Sequence, residues 1–132
     1  MKREYINPPQ LGSTPMNIYN HVVKVGNTVF IAGQVPRAPD GKAMHAGDPV
    51  AQIRVVWSNL KIAVESAGGS LEDIVKTTTY VVGANTGAKI RTARVEMLPE
   101  HGRPTSTTVA VAGLADPDFL VEVEAIAVIG DA

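Results

Sequence analysis

The stretch that decides the fold runs from residue 19 to residue 36 and reads YNHVVKVGNTVFIAGQVP. Apolar residues loosely alternate from Ile18 to Val25, and a second β-rich run covers Thr28 to Gly33. Gly26 and Asn27 lie between the two runs, and such a dipeptide suits a tight hairpin turn. The stretch therefore predicts a β-hairpin near the start of the chain.

The segment after the hairpin predicts a long amphipathic helix that begins at Asp48 and Pro49. Aspartate at the N-cap accepts a hydrogen bond from a free backbone N–H, and proline is tolerated at the first helical position. Gly68 and Gly69 end the helix, because glycine readily adopts the left-handed conformation of a C-cap. The apolar face recurs at three- and four-residue steps and comprises Ile53, Val56, Trp57, Leu60, Ala63, Val64 and Ala67.

The rest of the chain predicts three strands and one more helix. The strands cover Ile74 to Val82, Thr105 to Ala112 and Phe119 to Ile129, and the helix runs from about Ala88 to Leu98. The order β-β-α-β-α-β-β predicts an α+β fold in which one sheet packs against two helices, in a single domain covering residues 1–132. Apolar residues on both sides of the last strands predict that a partner subunit covers the second face of the sheet.

Composition excludes several classes of protein. The chain has 132 residues, a net charge of -1, 5% aromatic residues and no cysteine. A surface for nucleic acid needs a basic patch or stacking aromatics, and neither is evident. The charged N-terminus is not followed by an apolar segment, and no apolar run approaches the roughly 18 residues needed to cross a bilayer. We therefore expect a cytoplasmic protein that binds neither nucleic acid nor membrane.

Three blocks of sequence resemble, in the right order, the reactive intermediate deaminase (Rid) family, also known as YjgF or L-PSP endoribonuclease-like proteins. Residues 19–36 resemble its N-terminal hairpin, and residues 65–76 (ESAGGSLEDIVK) resemble the stretch after its first helix. Arg103 to Val128 resembles its C-terminal signature, which here contains VEVEAIA at residues 121–127. The resemblance implies a chorismate-mutase-like fold with two helices on one face of a mixed sheet. It also implies a homotrimer with a ligand cleft at each subunit interface.

The same resemblance implies hydrolysis of reactive imines and enamines without a cofactor or a metal. The family pattern Pro-Ala-Arg-Ser matches residues 104–107, so Ser106 stands where the family's deaminases carry an arginine that anchors the substrate carboxylate. A guanidinium suits that task because it donates two parallel hydrogen bonds to one carboxylate. Arg103 is a candidate substitute, and the alternative is a loop arginine that is solvated or paired at an interface. Ser106 and Thr108 share one side of their strand, where their hydroxyls either bind a polar ligand or simply favour β-structure.

Three further positions match residues of the family's cleft. Glu122 matches a glutamate thought to orient the attacking water or to shuttle a proton, and the alternative is a structural salt bridge. Tyr19 matches a tyrosine that lines the pocket, and the alternative is packing on the hairpin. Gly33 matches a glycine whose backbone approaches the ligand, and Ala32 stands where a serine is usual. The three histidines, at positions 21, 45 and 101, lack the spacing of a metal site.

These features predict a metal-free hydrolase or deaminase that acts on a small reactive imine, enamine or related carbonyl metabolite in an intersubunit cleft. Because Ser106 replaces the arginine, we do not expect a standard 2-iminopropanoate deaminase. The alternative is a non-catalytic small-molecule-binding or regulatory trimer. An endoribonuclease or translation inhibitor is disfavoured by the near-zero net charge and by the lack of a catalytic histidine pair.

Overall fold

The computed structural model describes residues 1–130, which form one six-stranded sheet and two helices. The sheet has the order β1-β2-β3-β6-β4-β5. Strands β4 and β5 are parallel, and the other neighbouring pairs are antiparallel. The elements are β1 (Arg3–Ile6), β2 (Val22–Val25), β3 (Thr28–Gln34), α1 (Pro49–Ser66), β4 (Ile74–Val82), α2 (Thr86–Met97), β5 (Thr105–Val111) and β6 (Val121–Val128).

Both helices pack on the same face of the sheet, which confirms the predicted α+β architecture. We call this the helix face, and its residues on β4 and β6 alternate with those of the opposite, open face. The helix face carries Thr77, Thr79 and Val81 of β4 and Val121, Val123, Ala125 and Ala127 of β6, all buried. The open face carries Lys76, Thr78 and Tyr80 of β4 and Glu122, Glu124 and Ile126 of β6.

The local signals for the hairpin and the first helix are confirmed. Gly26 takes a φ of 57° in the turn between β2 and β3, where a positive φ favours glycine. Asp48 caps α1, its Oδ1 accepting a hydrogen bond of 3.0 Å from the backbone N–H of Ala51. All seven residues of the predicted apolar face are buried, and Gly68 follows the helix with a φ of 93°. Helix α1 is therefore fixed at both ends and along its length by the features that the sequence displays.

The structure differs from the sequence-based prediction in three places. The first strand of the hairpin begins at Val22 rather than near Ile18. Strand β1 was not predicted, because it lies at the edge of the sheet and its residues are largely exposed, so no alternation marks it. Helix α2 begins at Thr86 rather than near Ala88, and Gly87 lies in its first turn rather than in a loop. The hydroxyl of Thr86 donates a hydrogen bond to the carbonyl of Val82, which ties the start of α2 to the end of β4. Within residues 1–130, no helix combines the length and apolar character that a membrane span requires.

A buried amide, Gln52 on α1, joins the segments on either side of it to the helix. Its Nε2 donates to the carbonyls of Met44 and His45, both at 3.2 Å, and to that of Asp118 at 2.7 Å. Its Oε1 accepts a hydrogen bond of 2.8 Å from the backbone N–H of Leu120. The side chain of Gln52 is fully buried, so its amide nitrogen and oxygen are satisfied by these part-buried backbone groups rather than by water.

Replacing this amide by an apolar side chain of similar size is expected to destabilise the fold. Gln52→Leu leaves the part-buried N–H of Leu120 and the carbonyl groups of Met44, His45 and Asp118 without this partner. Because an unpaired group shielded from water costs about 1–3 kcal/mol, we expect a total loss of about 2–4 kcal/mol in the free energy of unfolding. Urea denaturation measures the change. Gln10→Leu, at an exposed position, serves as the control and is expected to stay within about 0.5 kcal/mol of wild type. Equal stability of the two variants would show that the network contributes nothing.

Candidate functional site

The first group of site residues lies where β3 meets β6. The register between these strands shifts between Ile31 and Gln34, and there the backbone of Gly33 lies directly against the carboxylate of Glu122. A Cβ atom on Gly33 would overlap Glu122 Oε2 and lie 2.8 Å from its Cδ. The φ of Gly33 is not positive, so the close approach of the carboxylate, rather than the backbone conformation, requires glycine here. The structure thus brings two of the predicted site residues together.

Burial and neighbouring charges set the proton affinity of Glu122. Burial raises the pKa of Glu122 above its ordinary value, and the charge of Glu124 on the same face of β6 raises it further. Arg37 acts in the opposite direction, and its guanidinium lies 5.1 Å from the centre of the Phe119 ring, which positions it by a cation–π contact. A carboxylate with a raised pKa is a better proton acceptor near neutral pH, as a general base requires.

Removing the positive charge at Arg37 is expected to raise the pKa of Glu122 further. The loss of an attractive charge disfavours the carboxylate form, so protonation of Glu122 begins at higher pH. Carbon-detected NMR titration of the Glu122 carboxyl group in Arg37→Gln measures this shift without any assumption about activity. Arg54→Gln, which removes an exposed arginine paired with Glu96 at 3.3 Å, is the control. An unchanged pKa of Glu122 in Arg37→Gln would contradict the assigned interaction between Arg37 and Glu122.

The second group lies where α2 crosses β5. Ser106 and Thr108 point to the helix face, as the alternation along the strand predicts, and both contact Arg94 of α2. Arg94 Nη2 donates to Ser106 Oγ at 2.7 Å, and Nη1 lies 3.5 Å from Thr108 Oγ1. The position to which the sequence resemblance assigns an arginine is therefore contacted by the guanidinium of Arg94. The guanidinium reaches it from a helix instead of from the strand.

The two groups lie on opposite faces of the sheet within one chain. Ser106 is paired with Thr77 on β4, and Thr77 is buried on the helix face. Glu122 is paired with Tyr80 on β4, and Tyr80 belongs to the open face. Residues paired across neighbouring strands point to the same side of a sheet. A cleft that contains both groups therefore requires a second copy of the chain.

The remaining two predicted residues lie on loops. Tyr19 precedes β2 and is 42% exposed, and its carbonyl accepts a hydrogen bond of 2.8 Å from the hydroxyl of Thr14. Arg103 lies between α2 and β5, and its Nε donates to the carbonyl of Pro99 at 3.1 Å. This bond occupies one of the five N–H donors of Arg103 and holds its side chain near the end of α2. A role for either residue in binding substrate stays a prediction.

Three features of the site were not predicted from the sequence. Neither Arg94 nor Arg37 belongs to a recognisable sequence motif. Their relevance to the site follows only from the residues that they lie against in the fold. The third feature is an open-face groove of about 350 Å³, whose lining includes Phe30, Lys76 and Glu124. Beside this groove the Tyr80 hydroxyl donates to Glu124 Oε1 at 3.0 Å, and this hydrogen bond is the main reason that the pKa of Tyr80 is raised.

The protein has the α+β, chorismate-mutase-like fold, in which a mixed sheet carries two helices on one face. Its candidate site contains a glycine that leaves room for a part-buried glutamate. Residues 11–129 match the sequence model of the family described as Endoribonuclease L-PSP. The chain belongs to this family, to which the Rid and YjgF proteins are also assigned. The resemblance noted in the sequence is therefore confirmed.

Individual relatives agree with this assignment. A RutC family protein from Pyrococcus abyssi is 39% identical over 113 residues, which are 86% of this chain and 87% of that protein. The 3-aminoacrylate deaminase RutC from Acinetobacter baylyi is 31% identical over 119 residues, which are 90% of this chain and 93% of that protein. The structure of E. coli TdcF with bound serine matches with a TM-score of 0.86 and 32% identity, covering 96% of this chain and 98% of TdcF.

Proposed function

We propose that the chain is a cytoplasmic, metal-free and cofactor-free hydrolase that deaminates a small reactive imine or enamine, or acts on a related carbonyl metabolite, in a cleft between the subunits of a homotrimer. The observation that carries the proposal is the Glu122 carboxylate held against the backbone of Gly33. A proton acceptor of raised pKa thus lies beside a backbone position that has no side chain of its own. The 3-aminoacrylate deaminase among the relatives supports the same class of reaction.

The proposed reaction needs only water and one group that moves protons. The oxygen of water adds to the carbon of the C=N bond, whose π electrons move to nitrogen, while Glu122 takes a proton from the water and passes it to nitrogen. Glu122 then takes the hydroxyl proton of the resulting carbinolamine and delivers it to the amino nitrogen, the C–N bond breaks as the C=O bond forms, and ammonia leaves a carbonyl product. An enamine enters the same sequence after protonation on carbon, which converts it into an imine. No electrons are gained or lost, so no redox partner is required.

The distribution of exposed residues supports assembly around the cleft. Strand β5 is an edge strand and is exposed along most of its length. The open face presents large apolar side chains to solvent, including Phe30, which is 47% exposed, and Val109, which is 38% exposed. Exposed apolar surface and an unpaired strand edge favour association with another chain. A second copy would also bring its own Glu122 group towards Ser106.

We expect the purified protein to be a trimer, with three times the chain mass of 13.9 kDa. Multi-angle light scattering after size exclusion measures the mass at micromolar concentration. A stable monomer that still hydrolyses imines would contradict the intersubunit location of the cleft, because the two groups of site residues would then have no means of meeting.

The proposed substrate class is tested with imines that are generated in the assay mixture. An amino acid oxidase converts amino acids to their 2-imino acids, 3-aminoacrylate is generated in a separate reaction, and the release of ammonia from each is timed with and without the protein. We expect acceleration for at least one imine or enamine in a panel that includes 3-aminoacrylate. Turnover of 2-iminopropanoate is expected to be slower, because Ser106 replaces the strand arginine. Failure to accelerate any member would contradict the proposed hydrolase.

The second candidate function is a non-catalytic trimer that binds a small molecule. Two observations favour it: Ser106 and Ala32 stand where the family carries more polar groups, and the TdcF structure holds serine. Thermal denaturation with keto acids and amino acids distinguishes the two functions, since a ligand of the folded state alone raises the melting temperature. A raised melting temperature without any hydrolysis would favour this candidate.

A further inference from the structure

The guanidinium of Arg94 contacts Ser106, the position on β5 at which the resemblance predicts an arginine. It reaches β5 from α2 and donates to Ser106 Oγ at 2.7 Å, with Thr108 Oγ1 at 3.5 Å. Both hydroxyl-bearing residues are exposed, so the outer side of this cluster is open to a ligand. The serine that replaces an arginine thus serves as the acceptor that holds a different arginine.

The hydrogen-bonding capacity of Arg94 is only partly used. A guanidinium has five N–H donors, and Arg94 Nε is buried without a hydrogen-bond partner in the described part of the chain. Among residues 1–130, no carboxylate lies within ion-pair distance of Arg94. Because Nε is shielded from solvent, a ligand that enters the open cleft would bind through the Nη N–H donors that Ser106 and Thr108 leave unused.

The surroundings of Arg94 favour an anion over a neutral ligand. Burial lowers the pKa of Arg94 below its ordinary value, and the charge of Arg91, one turn earlier on α2, lowers it further. Two nearby guanidinium groups, neither within ion-pair distance of a carboxylate from residues 1–130, create a positive potential. The hydroxyls of Ser106 and Thr108 add donors that a carboxylate oxygen accepts.

We propose that Arg94, held in place by Ser106, is the residue that binds the carboxylate of the substrate. This inference rests on the proposed function for the identity of the site, and it narrows the substrate class to imines or enamines that bear a carboxylate. Arg94 is thereby a binding residue that the strand signature does not include.

Binding of keto acids, which have no C=N bond to hydrolyse, tests the assignment without relying on hydrolysis. The probes are 2-oxobutanoate and 3-oxobutanoate, each beside its neutral amide, and isothermal titration measures their dissociation constants. A charge-assisted hydrogen bond contributes about 1.5–3 kcal/mol, so wild type is expected to bind the better acid about 10- to 100-fold more tightly than its amide. Arg94→Gln is expected to abolish this preference. Arg54→Gln, which removes an arginine elsewhere on the surface, is the control and is expected to retain it. Arg37→Gln tests the rival assignment, in which the arginine that acts on Glu122 also binds the carboxylate.

Two further variants keep the test decisive if Arg94→Gln fails to assemble. Arg94→Lys retains the charge but not the forked geometry, and Ser106→Ala removes the acceptor that positions the guanidinium, so both are expected to reduce the preference only partly. The inference is overturned if wild type does not discriminate acid from amide, if these variants bind the acids as wild type does, or if Arg37→Gln alone abolishes the preference. Hydrolysis without any preference for the acid would refute the anchor alone. A preference for the acid without hydrolysis would refute the hydrolase alone.

Discussion

Glu122→Gln is expected to lower kcat/KM for imine or enamine hydrolysis by about 100- to 10,000-fold, the range typical of general acid–base catalysis. The amide keeps the shape of the side chain but is a poor proton acceptor. Binding of the keto-acid probes is expected to change little, because Arg94 rather than Glu122 contacts their carboxylate in the proposed cleft. Initial rates of ammonia release measure the loss.

The control for this variant is Glu65→Gln, which removes an exposed carboxylate from α1 and is expected to leave the rate unchanged. Turnover in Glu122→Gln equal to that of wild type would rule out a role for Glu122 in proton transfer. If Glu122→Gln does not form a trimer, its low activity would instead reflect failed assembly. Light scattering on each variant separates these outcomes.

Glu122→Gln is expected to affect stability in the direction opposite to its effect on activity. The pKa of Glu122 is raised in the folded state, chiefly by burial, so the folded protein holds this proton more tightly than the unfolded chain does. The ionised carboxylate therefore opposes folding above the folded-state pKa, and this cost disappears as the pH falls below the unfolded value of about 4.3. Glu122→Gln is expected to melt at or above the wild-type temperature at pH 7. A clearly lower melting temperature at pH 7 would show that the charged form stabilises the fold.

Gly33→Ala is expected to lower kcat/KM by about 100-fold, since a misplacement of about 1 Å in a catalytic group has an effect of this size. The added methyl group would overlap Glu122 Oε2, and the carboxylate lies at the flexible end of its side chain. Glu122 can therefore move away at little cost in stability but no longer occupies its catalytic position. Initial rates and the melting temperature are measured together.

Gly113→Ala is the matched control, because in the described part of the chain no atom beyond its sequence neighbours lies within 4 Å of a Cβ at that position, and its φ is not positive. It is expected to match wild type in both rate and stability. If Gly33→Ala also retains the full rate, the contact between Gly33 and Glu122 has no part in catalysis.

The parts of the fold that the sequence predicts are those that local chemistry determines. The cap at Asp48, the glycine at position 68 and the apolar spacing of α1 each act within a few residues, and each is found as expected. Strand β1 was missed because an exposed edge strand has no buried side to mark it. The placement of β4 between β5 and β6 depends on pairings between distant segments, for which local patterns carry no signal.

The candidate site was predictable only in part, for the same physical reason. Glu122 and Gly33 were identified through the family resemblance, and the structure shows why they belong together. The contact between Arg94 and Ser106 joins a helix to a strand. No motif links these two residues in the sequence. The absence of the strand arginine predicts a lost anchor, whereas the fold places another guanidinium at the same position.

The central claim is that Glu122 of one subunit and the Arg94 group of the next act on one substrate. The most direct measurement is the activity of mixed trimers formed by unfolding and refolding Glu122→Gln and Arg94→Gln together. Random mixing would give about a quarter of the clefts an intact Glu122 from one chain and an intact Arg94 from the other. The account predicts that the mixture hydrolyses the best substrate far faster than either variant alone. A mixture no more active than its two parents would contradict it.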